Sequence, residues 1–371
     1  MRRVRWLLLV LVPLLLSGCE HAAGLENRAY ALMLGADLTP AGGIRLTVCV
    51  PKVGASGGRE DSAEDSPYLT FSAEGDDFAA ALRNLEWAVP RKLSLSHILL
   101  LALSREAASG DRCPELVDRL METRSLYAAA RVVVCAGSAA EAVRDRVPVI
   151  EPRLSSDLSV ALANDAARGC AANTTLADLY YATHSVYGDP MASWSGEAPR
   201  PTDGANAPLL IPEPGSLRQT HGQTPCLGSA VFRGGRMALW LDPRESLCAN
   251  LVRGELKELA LEAGGAPVAL SVVRVRREVA DTADGVALGA SVELSCPDRL
   301  SPAQTARLET AVARAVIAAV QRCQAAGAEP FGFSELAARR CFSAAAWRES
   351  DWRAQYAAAA VRVWVAIRAE S

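Results

Sequence analysis

Val361-Arg362-Val363-Trp364-Val365-Ala366-Ile367-Arg368 alternates side chains near the C-terminus. A spacing of two puts Val361, Val363, Val365 and Ile367 on one face of a β-strand and turns Arg362, Trp364 and Arg368 to the other. The apolar face needs a cover. Upstream, Pro302 to Ala326 carries Leu308, Val312, Val316, Val320 and Cys323 at helical spacing. The expected contact is therefore Val361, Val363, Val365 and Ile367 against Leu308, Val312 and Val316. Two longer strands, Val268 to Val279 and Val286 to Leu294, are joined through Asp281 to Gly285. One long helix against an antiparallel sheet is the expected packing. Between helix and final strand, a shorter helix brings Trp347, Trp352 and Tyr356.

Working backwards, Gly228 to Phe232 and Met237 to Leu241 form a hairpin about Arg233-Gly234-Gly235-Arg236, and Ser246 to Val252 is a short helix. Before them, Glu197 to Pro225 holds Pro199, Pro201, Pro208, Pro212, Pro214 and Pro225. Proline removes a backbone donor and fixes φ, so this stretch reads as an interdomain connection. The division is then 19–196 for an N-terminal α/β domain, 197–225 for the connection and 226–371 for a C-terminal α+β domain. The fold class is mixed α/β (α+β), with two or more domains, each a mostly antiparallel or mixed sheet packed with helices.

In the N-terminal part, Ile44, Leu46, Val48 and Val50 alternate after an apolar run from Ala29 to Leu34, giving a hairpin with one buried face. Asp76 can cap a helix carrying Phe78, Leu82, Leu85 and Val89. Ile98 to Leu103 and Arg131 to Cys135 are short apolar strands. Pro114 to Glu122, Ala139 to Asp145, Leu158 to Ala167 and Leu176 to Thr183 are helices.

Residues 1–18 have the layout of a signal peptide. Arg2, Arg3 and Arg5 precede an apolar run from Trp6 to Leu16, too short to span a bilayer stably. The run closes on Leu16-Ser17-Gly18-Cys19, which resembles the lipobox of bacterial lipoproteins. That resemblance implies cleavage before Cys19 and acylation of its thiol, with two acyl chains holding the protein on the membrane. The chain as a whole has ordinary globular composition, half apolar and 22% charged, with a net charge of −3 that lends no support to nucleic-acid binding.

Beyond Cys19 lie Cys49, Cys113, Cys135, Cys170, Cys226, Cys248, Cys296, Cys323 and Cys341, an odd number without a C-x-x-C pair. Mostly reduced, buried thiols fit this scatter; one or two disulfides fit it as well. The four histidines show no ligand spacing, and no nucleophile elbow, phosphate loop or dinucleotide turn is present. The chain is therefore expected to have no catalytic residues, no metal and no cofactor. Trp347, Trp352 and Trp364, with Tyr356, are the densest aromatic cluster. Core packing explains them; so does a partner-docking patch, since tryptophan is enriched at interface hot spots.

The order of these elements resembles the Ger(x)C family, the lipoprotein C subunits of spore germinant receptors. The similarity is carried by Leu16-Ser17-Gly18-Cys19, by Gly35-Ala36-Asp37 where the family usually has Gly-Ile-Asp, and by Gly75, Arg91-Lys92-Leu93 and His97. Glu122 and Arg124 continue it, as do Gly228-Ser229-Ala230-Val231-Phe232 with Arg236 and Leu241. It closes on Gln324, Phe331-Gly332-Phe333, Trp347, Trp352 and the final strand. The chain departs from the family at Glu20-His21-Ala22-Ala23-Gly24, usually Trp-Asp-Arg-Arg-Glu, and at Glu329, where Asp is common. The resemblance implies a non-enzymatic subunit contributing to nutrient-triggered germination. It also implies integral-membrane A and B subunits as partners, and anchoring to the bilayer through Cys19 on the extracytoplasmic face of the spore inner membrane. Two rivals stand beside it: a free-standing extracytoplasmic solute-binding lipoprotein, and a cell-envelope hydrolase.

Overall fold

The computed structural model describes residues 27–52, 67–148, 150, 153–199, 226–263, 265–283 and 285–369. The leader and Cys19 lie outside them, as does residue range 200–225 of the proline-rich connection.

The first part of the chain runs β1 (Arg28–Tyr30), β2 (Met33–Leu38), β3 (Ile44–Pro51), β4 (Tyr68–Gly75), α1 (Phe78–Ala88), β5 (Lys92–Ser94) and β6 (Leu100–Ser104). There follow α2 (Arg105–Ser109), α3 (Cys113–Glu122), β7 (Arg131–Cys135), α4 (Ala139–Arg144), α5 (Leu154–Arg168), α6 (Leu176–His184) and β8 (Met191–Ser195). After the connection come β9 (Cys226–Arg233), β10 (Arg236–Leu241), α7 (Pro243–Arg253), β11 (Glu258–Ala263), β12 (Ala266–Thr282) and β13 (Gly285–Cys296). The chain ends with α8 (Pro302–Ala325), α9 (Phe333–Ala338), α10 (Ala344–Glu349), α11 (Trp352–Ala358) and β14 (Ala360–Ala369).

Eight strands form the main sheet in the order β10-β9-β8-β7-β6-β2-β3-β4. Its centre, β2, β6, β7 and β8, is parallel, and both flanks are antiparallel. Parallel strands are buried on both faces, which is why β6 and β7 read as unbroken apolar runs. Val132 and Val134 point into one core, with Leu85, Leu116 and Leu179 from α1, α3 and α6. Val133 and Cys135 point into the other, with Val143 and Leu158 from α4 and α5. The result is helices on both sides of a mixed sheet. A separate parallel pair, β1 and β5, adjoins it.

The second sheet has the order β11-β12-β13-β14. Three strands are antiparallel, but β14 runs parallel to β13, so this sheet is mixed rather than antiparallel throughout. Leu308, Val312 and Val316 of α8 are buried against its inner face, in one cluster with Val361, Val363, Val365 and Ile367. These last four are only half-buried, because β14 is the edge of the sheet.

Several local readings need correction. The cap of α1 is Asp77, whose carboxylate accepts the Ala80 N–H at 2.7 Å; Asp76 is one residue too early to reach it. The single short helix around Trp347 and Trp352 is two helices, α10 and α11. The hairpin β9–β10 joins the main sheet through Met191–Val231 and Ala192–Ala230 pairing, so it is not part of the sheet made by the later strands. Ala230, Phe232 and Trp240 of the hairpin enter the N-terminal core, while Val231 and Leu241 face the C-terminal one. Residue 226 is therefore no boundary in the packing. Local patterning could not show this, since alternating side chains fit either core equally well.

Candidate functional site

Of the three tryptophans singled out from the sequence, the structure brings two together. Trp347 and Trp352 have ring centroids 6.0 Å apart, and Tyr356 follows at 6.2 Å from Trp352. All three are buried in the C-terminal core. Their grouping depends on a break in the backbone. In one continuous helix, residues five apart would point about 140° away from each other. Asp351, at φ 42°, is the single described non-glycine residue with positive φ, and it ends one helix turn and starts the next. Such a conformation costs of order 1–3 kcal/mol and persists where the surroundings impose it.

Trp364 stands apart. It is 53% exposed on the outer face of β14, in line with Ser291 of β13 and Arg276 of β12. Exposed Arg274, Arg362 and Arg368 lie on the same strands. Among the described residues nothing in the packing calls for a large ring there.

Around the buried tryptophans lies a polar junction between distant parts of the chain. Glu329 is fully enclosed and accepts four hydrogen bonds. Its Oε1 takes the N–H groups of Phe331 and Phe333 at 2.9 and 3.1 Å, and its Oε2 takes the N–H and hydroxyl of Ser334 at 3.0 and 2.5 Å. The Gly332 N-cap of α9 has no side chain to offer, so Glu329 satisfies the first N–H groups of that helix instead. Burial pushes the Glu329 carboxyl pKa up, and the four hydrogen bonds pull the other way without cancelling it.

Asp189, from the loop before β8, accepts the Glu329 N–H at 2.8 Å and pairs with Arg353 at 3.2 Å. The Asp189 N–H donates back to the Glu329 carbonyl at 2.9 Å. The Trp347 indole N–H donates to the Val186 carbonyl at 3.2 Å. These bonds staple the N-terminal part to the C-terminal one beside a half-open cavity of about 250 Å³. The Tyr356 hydroxyl pKa is driven up by burial first, then by the charge of Glu329, so the group stays protonated and able to donate. Sequence reading missed Asp189 and Arg353 altogether, because partners 164 residues apart leave no local pattern.

Residues that carry the family resemblance turn out to be packing residues. Asp37 accepts the Ala139 and Ala140 N–H groups at 2.7 and 2.9 Å, capping α4 from the neighbouring strand. Two residues earlier, a Cβ on Gly35 would stand 2.9 Å from the Ala139 carbonyl oxygen. Gln324 donates to the Tyr356 and Ala359 carbonyls at 2.7 and 2.9 Å, closing the end of α11. His97 shares a 2.9 Å hydrogen bond with the Ser96 hydroxyl and meets the Tyr30 ring edge-on, a structural placement. Among the described residues no group of His, Cys, Asp and Glu side chains is placed to hold a metal ion. No described helix is long and apolar enough to cross a membrane. The nine described cysteines are free thiols, and all but Cys341 are buried.

Residues 22–194 match the family described as spore germination protein N-terminal domain, a stretch that runs from before β1 into β8. Among solved structures, a crystal structure of the GerBC protein is similar over 91% of this chain and 97% of its own, with a TM-score of 0.54 and 10% identity. At that identity the likeness concerns the fold, and its coverage takes in both sheets. No curated protein sequence matches the chain. With the spore germination domain occupying its N-terminal part and the rest of the fold following in order, the findings support placing this chain among the Ger(x)C spore germination proteins.

Proposed function

We propose that the chain is the lipid-anchored C subunit of a germinant receptor, a non-catalytic assembly protein of nutrient-triggered germination. The observation that carries this reading is the position of the family domain. It begins at residue 22, three residues after the cysteine of Leu16-Ser17-Gly18-Cys19. An acylated Cys19 would hold the domain close to the bilayer. Confinement to two dimensions raises the effective concentration of the chain near integral-membrane partners. Those partners are the A and B subunits of the receptor, with this chain on the extracytoplasmic face of the spore inner membrane.

Within that reading, Trp364 and its flanking arginines form the docking face, while Trp347 and Trp352 act from inside by shaping the C-terminal unit. Metabolic labelling with a tagged fatty acid tests the anchor. The expected outcome is label on the natural chain and none on Cys19→Ala; label kept by the Ala variant would overturn the anchor. Co-purification from spore membranes tests the assembly: integral-membrane subunits should accompany the natural chain, and their absence would leave the receptor assignment without support.

A further inference from the structure

We propose that the edge of the main sheet at which β1 enters rests on an anionic phospholipid bilayer. Trp87 and Tyr127 lie at headgroup level there, and Arg91, Lys92 and Arg124 meet the lipid phosphates. The proposal deepens the lipid-anchored reading and rests on it.

Topology brings these residues to one edge. β1 leads into β2, β5 leads into β6, and Tyr127 precedes β7. Strands β2, β6 and β7 are parallel, so their starting ends lie side by side. β1 pairs with β5 through Arg28 and Lys92. The Tyr127 N–H donates to the carbonyl of Leu95, just past β5, at 3.3 Å. Trp87 stands in the last turn of α1, five residues before Lys92.

The packing leaves this group unused. Trp87 is 86% exposed and Tyr127 49%. Arg91, Lys92 and Arg124 are exposed, and among the described residues no carboxylate stands within ion-pair distance of them. All three carry the family resemblance, yet no side-chain bond within the chain engages them. Two exposed acids are close in sequence, Glu86 and Glu122, and Glu122 is taken by Arg119. The edge is therefore basic in a chain whose net charge is −3.

Chain length and charge together select the occupant. Nine residues lead from Cys19 to Arg28, a covalent reach of at most roughly 30 Å, so an anchored Cys19 keeps this edge beside the bilayer. Tryptophan and tyrosine settle at membrane–water interfaces, with the ring in the acyl boundary and the polar tip among headgroups. Lysine and arginine next to them favour an anionic surface by about fivefold per charge.

The full chain, reconstituted in vesicles whose acyl chains carry bromine, tests the contact, because bromine quenches indole that reaches the lipid. The readout is the quench lost on Trp87→Phe, which sets aside a constant contribution from Trp6 of the leader. On phosphatidylcholine mixed with phosphatidylglycerol, the natural chain should be quenched more than Trp87→Phe, and Trp364→Phe should behave as the natural chain does. Arg91→Ala combined with Lys92→Ala should weaken the contact about fivefold per charge removed and lower the quench toward that on phosphatidylcholine alone. Added salt should do the same. Melting temperatures should not change, since all the substituted side chains are exposed. Equal quench in the natural and Trp87→Phe chains would overturn the proposal; a protein partner covering the edge would give that result in protein-free vesicles. A quench indifferent to phosphatidylglycerol and to salt would overturn it too. Fatty-acid label on Cys19 separates this failure from failure of the anchor: label without a Trp87 quench leaves the anchor standing and removes the lipid-facing edge.

Discussion

Asp37 shows how a short motif can be conspicuous for reasons that only distant contacts explain. Its two carboxylate oxygens each receive one N–H from the first turn of α4, about a hundred residues away in sequence. Charged acceptors at a helix N-terminus satisfy orphan donors and complement the helix dipole. Asp37→Ala should therefore destabilise the chain by about 2–4 kcal/mol, combining a lost cap with buried donors left unmade. Asp37→Asn should cost nearly as much, because its amide would turn a donor toward one of those N–H groups. Thermal melts of the two variants check this; an Asn variant as stable as the natural chain would show that one N–H alone matters. Gly35 works with Asp37 by clearance, since a methyl group there would press on Ala139 and push α4 off the sheet. Glu329 is the same device at α9, built from the residue where the family commonly has Asp.

Strands and helices divide according to how many faces they bury. β14 is an edge strand, with its apolar side half-covered by α8 and its other side open. Its neighbour β13 is enclosed, and Val292 is 1% exposed beside Val365. A charge at these positions should scale with burial. Val292→Asp places an unpaired carboxylate in the core and should exceed a stability margin of about 5–15 kcal/mol or consume most of it. Val363→Asp should cost roughly 1–3 kcal/mol, since the edge lets water reach the charge. Trp364→Ala, on the open face, should stay within about 0.5 kcal/mol of the natural chain while weakening capture of membrane partners. Denaturant melts and a pull-down from spore membranes separate these outcomes. Should Trp364→Ala unfold the chain as Val292→Asp does, the outer face of β14 is core, and the docking role fails.

Taken together, the two halves of the chain are joined more closely than a proline-rich connection suggests. β9 and β10 lie after that connection yet complete the main sheet, and the C-terminal core reaches back to Met191 and Cys170. Six prolines from Pro199 to Pro225 carry no backbone N–H donor, so limited proteolysis is expected to cut there first. The two fragments should then stay together on a sizing column under native conditions and separate in denaturant. Fragments that part without denaturant would show that the β8–β9 pairing adds little to cohesion.

What could be read from the order of residues was whatever repeats locally. The period of two in β3 and β14, the helical spacing of Leu308, Val312, Val316 and Val320, and the basic, apolar and Leu-Ser-Gly-Cys segments of the leader all lie within a few turns of chain. The mixed α/β class and the family resemblance follow from such signals taken in order. Strands β4, β8 and β11 escaped notice because they are short or only half-buried, and their pairing comes from neighbours far along the chain. The parallel direction of β14, the placing of the β9–β10 hairpin and the bonding of Asp189 with Glu329 and Arg353 could be settled only by folding. Each joins residues more than thirty positions apart, and loop closure over such distances leaves no trace in local composition.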